Sequence, residues 1–338
     1  MRYLAFLAVS LLSLPAAISL YRYGGALKVY VVGLLAFEVA RRAARRFGRA
    51  AVLWGPAIFV SITVTTLVLR TAQSGVPVFR SILLRTYLSR LPWGSSNYVA
   101  AVMVLCLPAL LLLYQESIEQ PRRRQLVLGI IVGSLTNMFF TLSRGGFAMS
   151  IVCLAMFGFS GRRVPWRLLA AVAIGACAIA FLPLGQALFS RFTNAQSQDS
   201  ILARVMIWSA ALERGIHHLP FGVGLGQGWL QQDALQGIDP HNFPLTLFGE
   251  LGPLGLLAWF WMIAALWAAS GRLAGIPGTR AAATAMRATL MLGVLNSLFE
   301  PTLTGNLYHL LFWWLLGIYH GAGEPADLPV KGLVAAAD

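Results

Sequence analysis

The sequence contains few charged residues: Asp, Glu, Lys and Arg make up 11% of its 338 residues, against about 25% in soluble domains. Apolar residues make up 58%, and the mean hydropathy is +0.71. This composition excludes an ordinary soluble globule, a disordered chain and a separate soluble catalytic domain. We therefore expect an integral membrane protein.

Acidic residues and cysteine are also scarce. The 12 Asp and Glu residues stand against 26 basic residues, which gives a formal net charge of +14. The bases are nearly all Arg, and bases that flank membrane helices fix topology and bind lipid head groups, so the charge does not indicate nucleic-acid binding. Cys106, Cys153 and Cys177 lie within apolar runs, which excludes a disulfide framework and a thiolate metal site.

Long apolar runs predict about ten transmembrane helices, several of them near the lower length limit. The runs cover residues 3–21, 24–40, 50–69, 96–114, 125–142, 145–160, 167–189, 246–269, 282–300 and 306–320. The first run follows Arg2 as a signal peptide would, but it lacks a clean cleavage site and a second span follows at once. We interpret it as a retained helix. The predicted fold is an all-α polytopic membrane protein in which residues 1–338 form a single membrane domain.

Short arginine-rich loops set the predicted orientation. They lie at 41–49, 122–124, 162–167 and 272–280. If the spans alternate, these loops share one face with both termini, and the positive-inside rule makes that face cytoplasmic. The opposite face, which we call the outer face, then carries the segment 70–95, the turn 143–146, the loop 190–245 and the turn 301–305. The segment 70–95 has four arginines on a partly apolar stretch, as an interfacial helix would.

The outer loop 190–245 is too long for a passive connector, so we expect it to be ordered and partly helical. Asp199 and Ser200 are suitable N-caps for a helix that runs to about Gly215. After it, glycine occupies alternate positions in the stretch 220–228. No strand precedes this stretch, so a dinucleotide site is not indicated. A tight turn that lets the backbone approach a ligand or a helix is the expectation.

Three polar clusters far apart in sequence share the outer face. They are Ser143 with Arg144 at a break between two spans, Arg191 with Arg204, and His241 with Asn242, followed by Glu250. Several Arg side chains can hold a diphosphate by paired hydrogen bonds and stabilise the charge that it gains on leaving. Histidine can take the proton of an attacking hydroxyl group near neutral pH. Together the clusters predict one site for a phosphorylated substrate.

Each candidate also has a structural explanation. Arg144 could snorkel from a helix end, Arg191 could anchor a helix at the head groups, and Arg204 could lie on a solvated helix face. Glu250 could stabilise the first turns of a helix. Trp208 is a weaker candidate for substrate contact, because packing or anchoring at the membrane interface explains it better.

Other polar residues carry weaker signals. His217 and His218 match no established spacing of metal ligands, and we predict no metal site. Glu300 and His309 would lie near the outer ends of the last two spans, where helix packing explains them nearly as well as a role in the cavity.

The order and spacing of these motifs resemble the core of the O-antigen ligase and polymerase family of membrane glycosyltransferases. The resemblance covers about residues 125–270. It rests on Ser143-Arg144-Gly145-Gly146, on Arg204…Trp208, on Pro220…Gly222…Gly224…Gly226, and on His241-Asn242…Glu250…Gly252…Gly255. Because several motifs recur in order, this signal is more specific than any single motif.

The resemblance implies a donor glycan linked to undecaprenyl diphosphate and an acceptor that is a lipid A core or another glycan. It implies a site on the periplasmic side of a bacterial inner membrane, with no metal or nucleotide cofactor. Arg144, Arg204 and His241 would be catalytic, and Arg191 would add a contact to the donor. The other predicted substrate-binding residues are Ser143, Trp208, Asn242 and Glu250. Glu250 would orient the loop or His241, and the reaction would be an inverting displacement at the anomeric carbon.

Other functions are also compatible with the sequence. A polymerase of the same family would use a lipid-linked repeat as acceptor. A transporter of lipid-linked glycan would need polar residues at mid-depth of the membrane, where the clear spans have only Asn137 and Asn296. A structural scaffold of the cell envelope would not need Arg144 or His241.

Overall fold

The computed structural model describes residues 2–75, 90–92, 94–141, 143–160, 196–227, 240–300 and 302–324. These residues form α-helices and connecting turns without a β-strand; an isolated bridge joins Leu91 to Gly94. The helices are α1 (Arg2–Leu12), α2 (Leu20–Phe47), α3 (Arg49–Gln73), α4 (Ser96–Glu116), α5 (Pro121–Thr141), α6 (Arg144–Phe159), α7 (Gln196–His217), α8 (Phe243–Ala274), α9 (Arg280–Ser297) and α10 (Asn306–Gly321). The predicted all-α fold class is confirmed.

Four of the described helices, α2, α3, α4 and α8, are long and apolar enough to cross a membrane. Helices α5, α6, α9 and α10 fall on predicted apolar runs without meeting both criteria. The run 167–189 lies outside the described residues, as does most of the segment 70–95. The count of about ten spans and the cytoplasmic placement of both termini therefore stay predictions.

The first apolar run is not the single helix that we predicted over residues 3–21. Helix α1 ends at Leu12, a single 3-10 turn follows at Leu14–Ala16, and α2 begins only at Leu20. Pro15 has no N–H to continue the helix, and the Ser13 hydroxyl donates to the carbonyl oxygen of Ser10 at 2.7 Å. Pro15 and the bond of Ser13 therefore interrupt a segment that hydropathy alone predicts as one continuous helix.

Helix α4 forms the centre of the bundle. Its residues from Val99 to Tyr114 are all buried. Helices α3, α5, α6, α9 and α10 pack around it. A helix that is apolar on every side needs such an environment, which explains the unbroken apolar run in this part of the sequence.

Helices α2 and α10 pack closely along their length. A Cβ atom on Gly317 would collide with the carbonyl oxygen of Phe37, and one on Gly321 would lie 2.5 Å from that of Arg41. Small residues at this spacing let two membrane helices approach until their backbones touch. Close backbone packing therefore holds this pair together along its length.

His309 on α10 has a packing role in this helix pair. Its Nε2 accepts the indole N–H of Trp313 at 2.9 Å, which leaves the proton on Nδ1 to be donated to the carbonyl oxygen of Leu303 at 2.8 Å. Both ring nitrogens are used inside the protein, so the structural explanation of His309 is the better one.

Several arginines of the predicted cytoplasmic face form ion pairs between helices. Arg41 and Arg45 both contact Glu324, which lies just beyond α10. Arg49 pairs with Glu116 at the end of α4 and donates to the carbonyl oxygen of Gly278 at 3.1 Å. Part of the basic excess therefore joins helix ends to one another.

Candidate functional site

The first predicted motif forms the turn between α5 and α6. The Ser143 hydroxyl accepts the N–H of Gly146 at 3.1 Å and so caps α6, whose first residue is the exposed Arg144. A Cβ atom on Gly146 would lie 2.9 Å from Cβ of Ala100, so this turn packs against the start of α4. The N-terminus of α6 and the side chain of Arg144 both contribute positive electrostatic potential at this turn.

The second motif lies on α7, the predicted helix of the outer loop, which begins at Gln196 rather than near Ser200. The half-buried guanidinium of Arg204 donates from Nη1 to the carbonyl oxygen of Phe299 at 3.3 Å. This bond uses one of five N–H donors and sets the orientation of the others. Arg191, its predicted companion, lies outside the described residues.

Trp208, one turn after Arg204, is bonded to the chain that leads into His241. Its indole N–H donates to the carbonyl oxygen of Pro240 at 2.7 Å. Pro240 directly precedes His241, so α7 holds the chain that carries the histidine. An indole has only this one donor, which leaves the ring edges and faces for any further contact.

The third motif lies where the outer loop enters α8. His241 has a φ of 50°, in the left-handed region that non-glycine residues seldom adopt. Asn242 caps α8 by accepting the N–H of Leu245 at 3.0 Å, and its Nδ2 donates to the carbonyl oxygen of Leu298 at 3.2 Å. Asn242 therefore holds the backbone directly after His241 by two hydrogen bonds, one to the start of α8 and one to Leu298.

All three described motifs meet around the turn between α9 and α10, which we call the 298–305 turn. Its carbonyl oxygens at Leu298 and Phe299 bind Asn242 and Arg204 respectively. The α6 motif lies at the same place, since a Cβ atom on Gly145 would lie 4.0 Å from Oδ1 of Asn296, at the end of α9. Topology predicted a shared face, and the fold brings these motifs together at one turn.

The 298–305 turn also contains a carboxylate that the sequence did not single out as a site residue. Glu300 is half-buried, and its Oε1 accepts from Nδ2 of Asn97 at 3.2 Å. Asn97 belongs to the first turn of α4 and was missed altogether. The polar Ser95-Ser96-Asn97 ahead of an apolar run is the signal that could have marked it.

The glycine-rich stretch packs its backbone onto α8, as the alternating glycines predicted. Gly252 breaks α8 with φ 66° and ψ −169°, which frees carbonyl oxygens in the turn before it. The N–H groups of Val223 and Gly224 donate to the carbonyl oxygens of Gly249 and Glu250 at 3.0 and 2.9 Å. We call this pairing of residues 220–227 with the break in α8 the glycine clasp.

Glu250 is buried by the glycine clasp, with 4% of its surface exposed. It lies eight residues beyond Asn242, about 12 Å along the axis of α8. This position suits a residue that supports the clasp.

The other side of the glycine clasp holds the break between α1 and α2. Gln227 is fully buried; its Oε1 accepts the N–H of Ser19 at 2.9 Å, and its Nε2 donates to the Ser19 carbonyl oxygen at 2.9 Å. A Cβ atom on Gly224 would lie 2.9 Å from Cα of Ala17. The unwound residues after α1 are therefore a docking point for the outer loop.

The described residues contain no group of three or more His, Cys, Asp and Glu side chains placed to hold a metal ion. The site instead consists of two described arginines, one histidine, one partly exposed carboxylate and the amides that position them. Such a set can bind an anionic group and move a proton.

Residues 129–260 match the O-antigen ligase family. The matched region runs from α5 to the middle of α8, so it contains the Ser143 turn, Arg204, the glycine clasp and His241. No curated protein is significantly similar to the chain in sequence.

Proposed function

Since the match over residues 129–260 supports assignment of the chain to the O-antigen ligase family, we propose that the protein transfers a glycan from a lipid-linked donor to an acceptor hydroxyl. The donor lipid is undecaprenyl diphosphate, the acceptor is a lipid A core, and the site faces the periplasm from a bacterial inner membrane. The observation that carries this proposal is that Gly145 next to Arg144, Arg204 itself and Asn242 next to His241 all lie at the end of α9 or at the 298–305 turn.

In the proposed reaction the acceptor oxygen attacks the anomeric carbon of the donor sugar. The bond from that carbon to the phosphate oxygen breaks, and undecaprenyl diphosphate leaves with the bonding electron pair. Configuration inverts because one displacement takes place. The acceptor proton passes to His241, and neither a metal nor a nucleotide takes part.

The arginines act on the leaving group. Arg144 stands at the exposed N-terminus of α6, and Arg204 is oriented by its bond to Phe299. Their paired donors bind the diphosphate and stabilise the charge that develops on it; removal of one such donor typically costs about 10²–10³ in rate. Arg191 adds a third cation in this proposal.

His241 acts on the acceptor. Its backbone is held in the left-handed region between Pro240, which Trp208 binds, and Asn242, which caps α8. A residue held in such a conformation is typical of a functional position. A positioned general base contributes about 10²–10⁴ in rate.

Glu300 completes the acceptor side of the proposed site. Its carboxylate is oriented by Asn97 and lies one residue from the carbonyl group that binds Arg204. A carboxylate accepts hydrogen bonds from sugar hydroxyls, so Glu300 is suited to hold the acceptor while His241 removes the proton. Ser143, Trp208, Asn242 and Glu250 position these groups.

The test is glycan transfer by the purified full-length protein. The protein is incubated with a lipid-linked oligosaccharide and a lipid A core acceptor in a chelating buffer, and products are identified by mass. His241→Ala and Arg144→Ala should abolish transfer and leave folding intact. His218→Ala is the matched control, because His218 is an exposed histidine of the same loop and its ring contacts the carbonyl oxygen of Arg214. Transfer by both variants at the wild-type rate would refute the proposal.

The acceptor is tested separately in a deletion strain. Loss of a ligase leaves long glycan chains that are not attached to lipid A, whereas loss of a polymerase leaves single repeats. If single repeats are found, the acceptor is a second lipid-linked repeat instead of a lipid A core, and the proposed reaction at the anomeric carbon stays the same. Movement of the lipid-linked glycan across vesicles without a new glycosidic bond would instead indicate a transporter.

A further inference from the structure

Arg287 is an arginine that the positive-inside rule does not explain. The rule accounts for arginines in short loops, but Arg287 lies inside α9, seven residues after Arg280 and about 10 Å along the helix axis. A charged residue within an apolar helix bundle indicates a function unless the protein pairs it. No described carboxylate forms an ion pair with it.

The contacts of Arg287 hold the Nε edge of its guanidinium group, and its two η nitrogens can donate to a further partner. Nε donates to the Ser270 hydroxyl at 3.0 Å, and Cζ lies 5.9 Å from the ring centroid of Trp267. The Ser270 hydroxyl in turn donates to the carbonyl oxygen of Trp267 at 2.6 Å. Within the described residues the two η nitrogens make no hydrogen bond, and a Cβ atom on Gly271 would lie 3.6 Å from Nη2.

Arg287 lies in the half of α9 that is nearer to the predicted cytoplasmic surface. Side chains of a helix lean toward its N-terminus, so Arg287 leans toward the loop that contains Arg272 and Arg280. Trp267 beside it is 40% exposed and Arg287 is half-buried, so the group is reached from the outside of the α8–α9 pair. Tryptophan at this level is typical of the boundary between head groups and acyl chains.

We propose that Arg287, which Ser270 and Trp267 hold in position, binds the phosphate of an anionic phospholipid in the cytoplasmic leaflet. The two η nitrogens present a fork of donors that matches two phosphate oxygens, and the acyl chains lie along Trp267. The exposed Arg272 adds positive potential, which favours an anionic over a zwitterionic lipid. This site lies at the opposite membrane face from the glycan site and does not depend on the proposed function.

The test is lipid binding measured by native mass spectrometry of the full chain with phosphatidylglycerol or phosphatidylcholine of the same acyl composition. Wild type should bind phosphatidylglycerol more tightly. Arg287→Met should weaken that binding about tenfold or more, as loss of charge-assisted hydrogen bonds does. Arg280→Gln is the matched control, because it removes the same charge from the exposed start of α9; its binding should stay within about twofold of wild type.

Several outcomes would overturn the proposal. They are equal binding of the two lipids by wild type, unchanged phosphatidylglycerol binding by Arg287→Met, or equal loss in Arg280→Gln. The wild-type comparison needs no variant to fold. Inorganic phosphate at millimolar concentration should not displace the lipid; displacement would make free phosphate the ligand and contradict the lipid assignment. Glycan transfer is not a readout, so this test can fail while the proposed function stands.

Discussion

Replacement of Gly252 by Ala tests the glycine clasp. Gly252 has φ 66° and ψ −169°, a region that essentially only glycine occupies. A Cβ atom there would collide with the carbonyl oxygen of Pro220. Alanine can therefore be accommodated only if the backbone of α8 or the stretch 220–227 moves.

The free-energy cost has two parts, the strained conformation and the hydrogen bonds that the displacement breaks. Holding a residue other than glycine in this region costs about 1–3 kcal/mol. Displacing the stretch breaks the bonds from Val223 and Gly224 to the carbonyls of Gly249 and Glu250, at about 1 kcal/mol each. The expected decrease in the free energy of unfolding is about 3–5 kcal/mol, a large part of the total stability of a typical domain.

The free energy of unfolding is measured by tryptophan fluorescence as a denaturing detergent is titrated into the purified protein. Gly249→Ala is the control, because Gly249 is helical and a Cβ atom there would lie 3.8 Å from the carbonyl oxygen of Ala211, an ordinary contact. The free energy of unfolding of Gly249→Ala should equal that of the wild type or exceed it by up to about 1 kcal/mol, since alanine favours the helix. If Gly252→Ala were as stable as Gly249→Ala, the reasoning about the clasp would be wrong.

Three further substitutions test separate parts of the molecule. Gly317→Ala should lower the free energy of unfolding by about 1–3 kcal/mol in the same titration, because its Cβ would overpack against Phe37 between α2 and α10. Trp208→Phe should keep the fold and reduce glycan transfer about tenfold, because it loses the bond to Pro240 that holds the chain before His241. Glu300→Gln should raise KM for the acceptor several-fold in steady-state assays and leave KM for the donor unchanged.

Matched variants separate these effects from general damage. Gly55→Ala places a methyl group in α3 where no other described part of the protein lies within 4 Å outside the backbone of α3 itself, so it should not destabilise the protein. Glu213→Gln removes an exposed carboxylate of α7 and should leave both KM values unchanged. Wild-type transfer by Trp208→Phe, or an effect of Glu300→Gln on the donor, would contradict the assigned roles.

Features with a local cause could be predicted from the sequence. Helix α7 is predictable because apolar residues recur at helical spacing, although the predicted caps Asp199 and Ser200 are wrong, since the helix begins before them at Gln196. The approach of the glycine stretch to a helix is predictable because alternate glycines permit it. The break at 143–146 is likewise marked by Ser143, which caps α6. Each of these signals lies within a few residues of its consequence.

Features that depend on distant partners could not be predicted. The break after α1 is completed by Gln227, and Glu300 receives its bond from Asn97; both pairs are separated by about two hundred residues of sequence. Hydropathy reports how apolar a segment is and contains no information on which polar atom will meet it. The role of Arg191 in the site stays a prediction, because it lies outside the described residues.

The 298–305 turn limits which parts of this protein can be exchanged as separate units. It lies outside the family-matched region 129–260, yet its carbonyls at Leu298 and Phe299 hold Asn242 and Arg204 within that region. An excised fragment 129–260 would lose both attachments, and a chimaera that exchanges only this region would join its motifs to a foreign turn. Exchange between relatives should therefore preserve function only when α9, the turn and α10 are transferred with it.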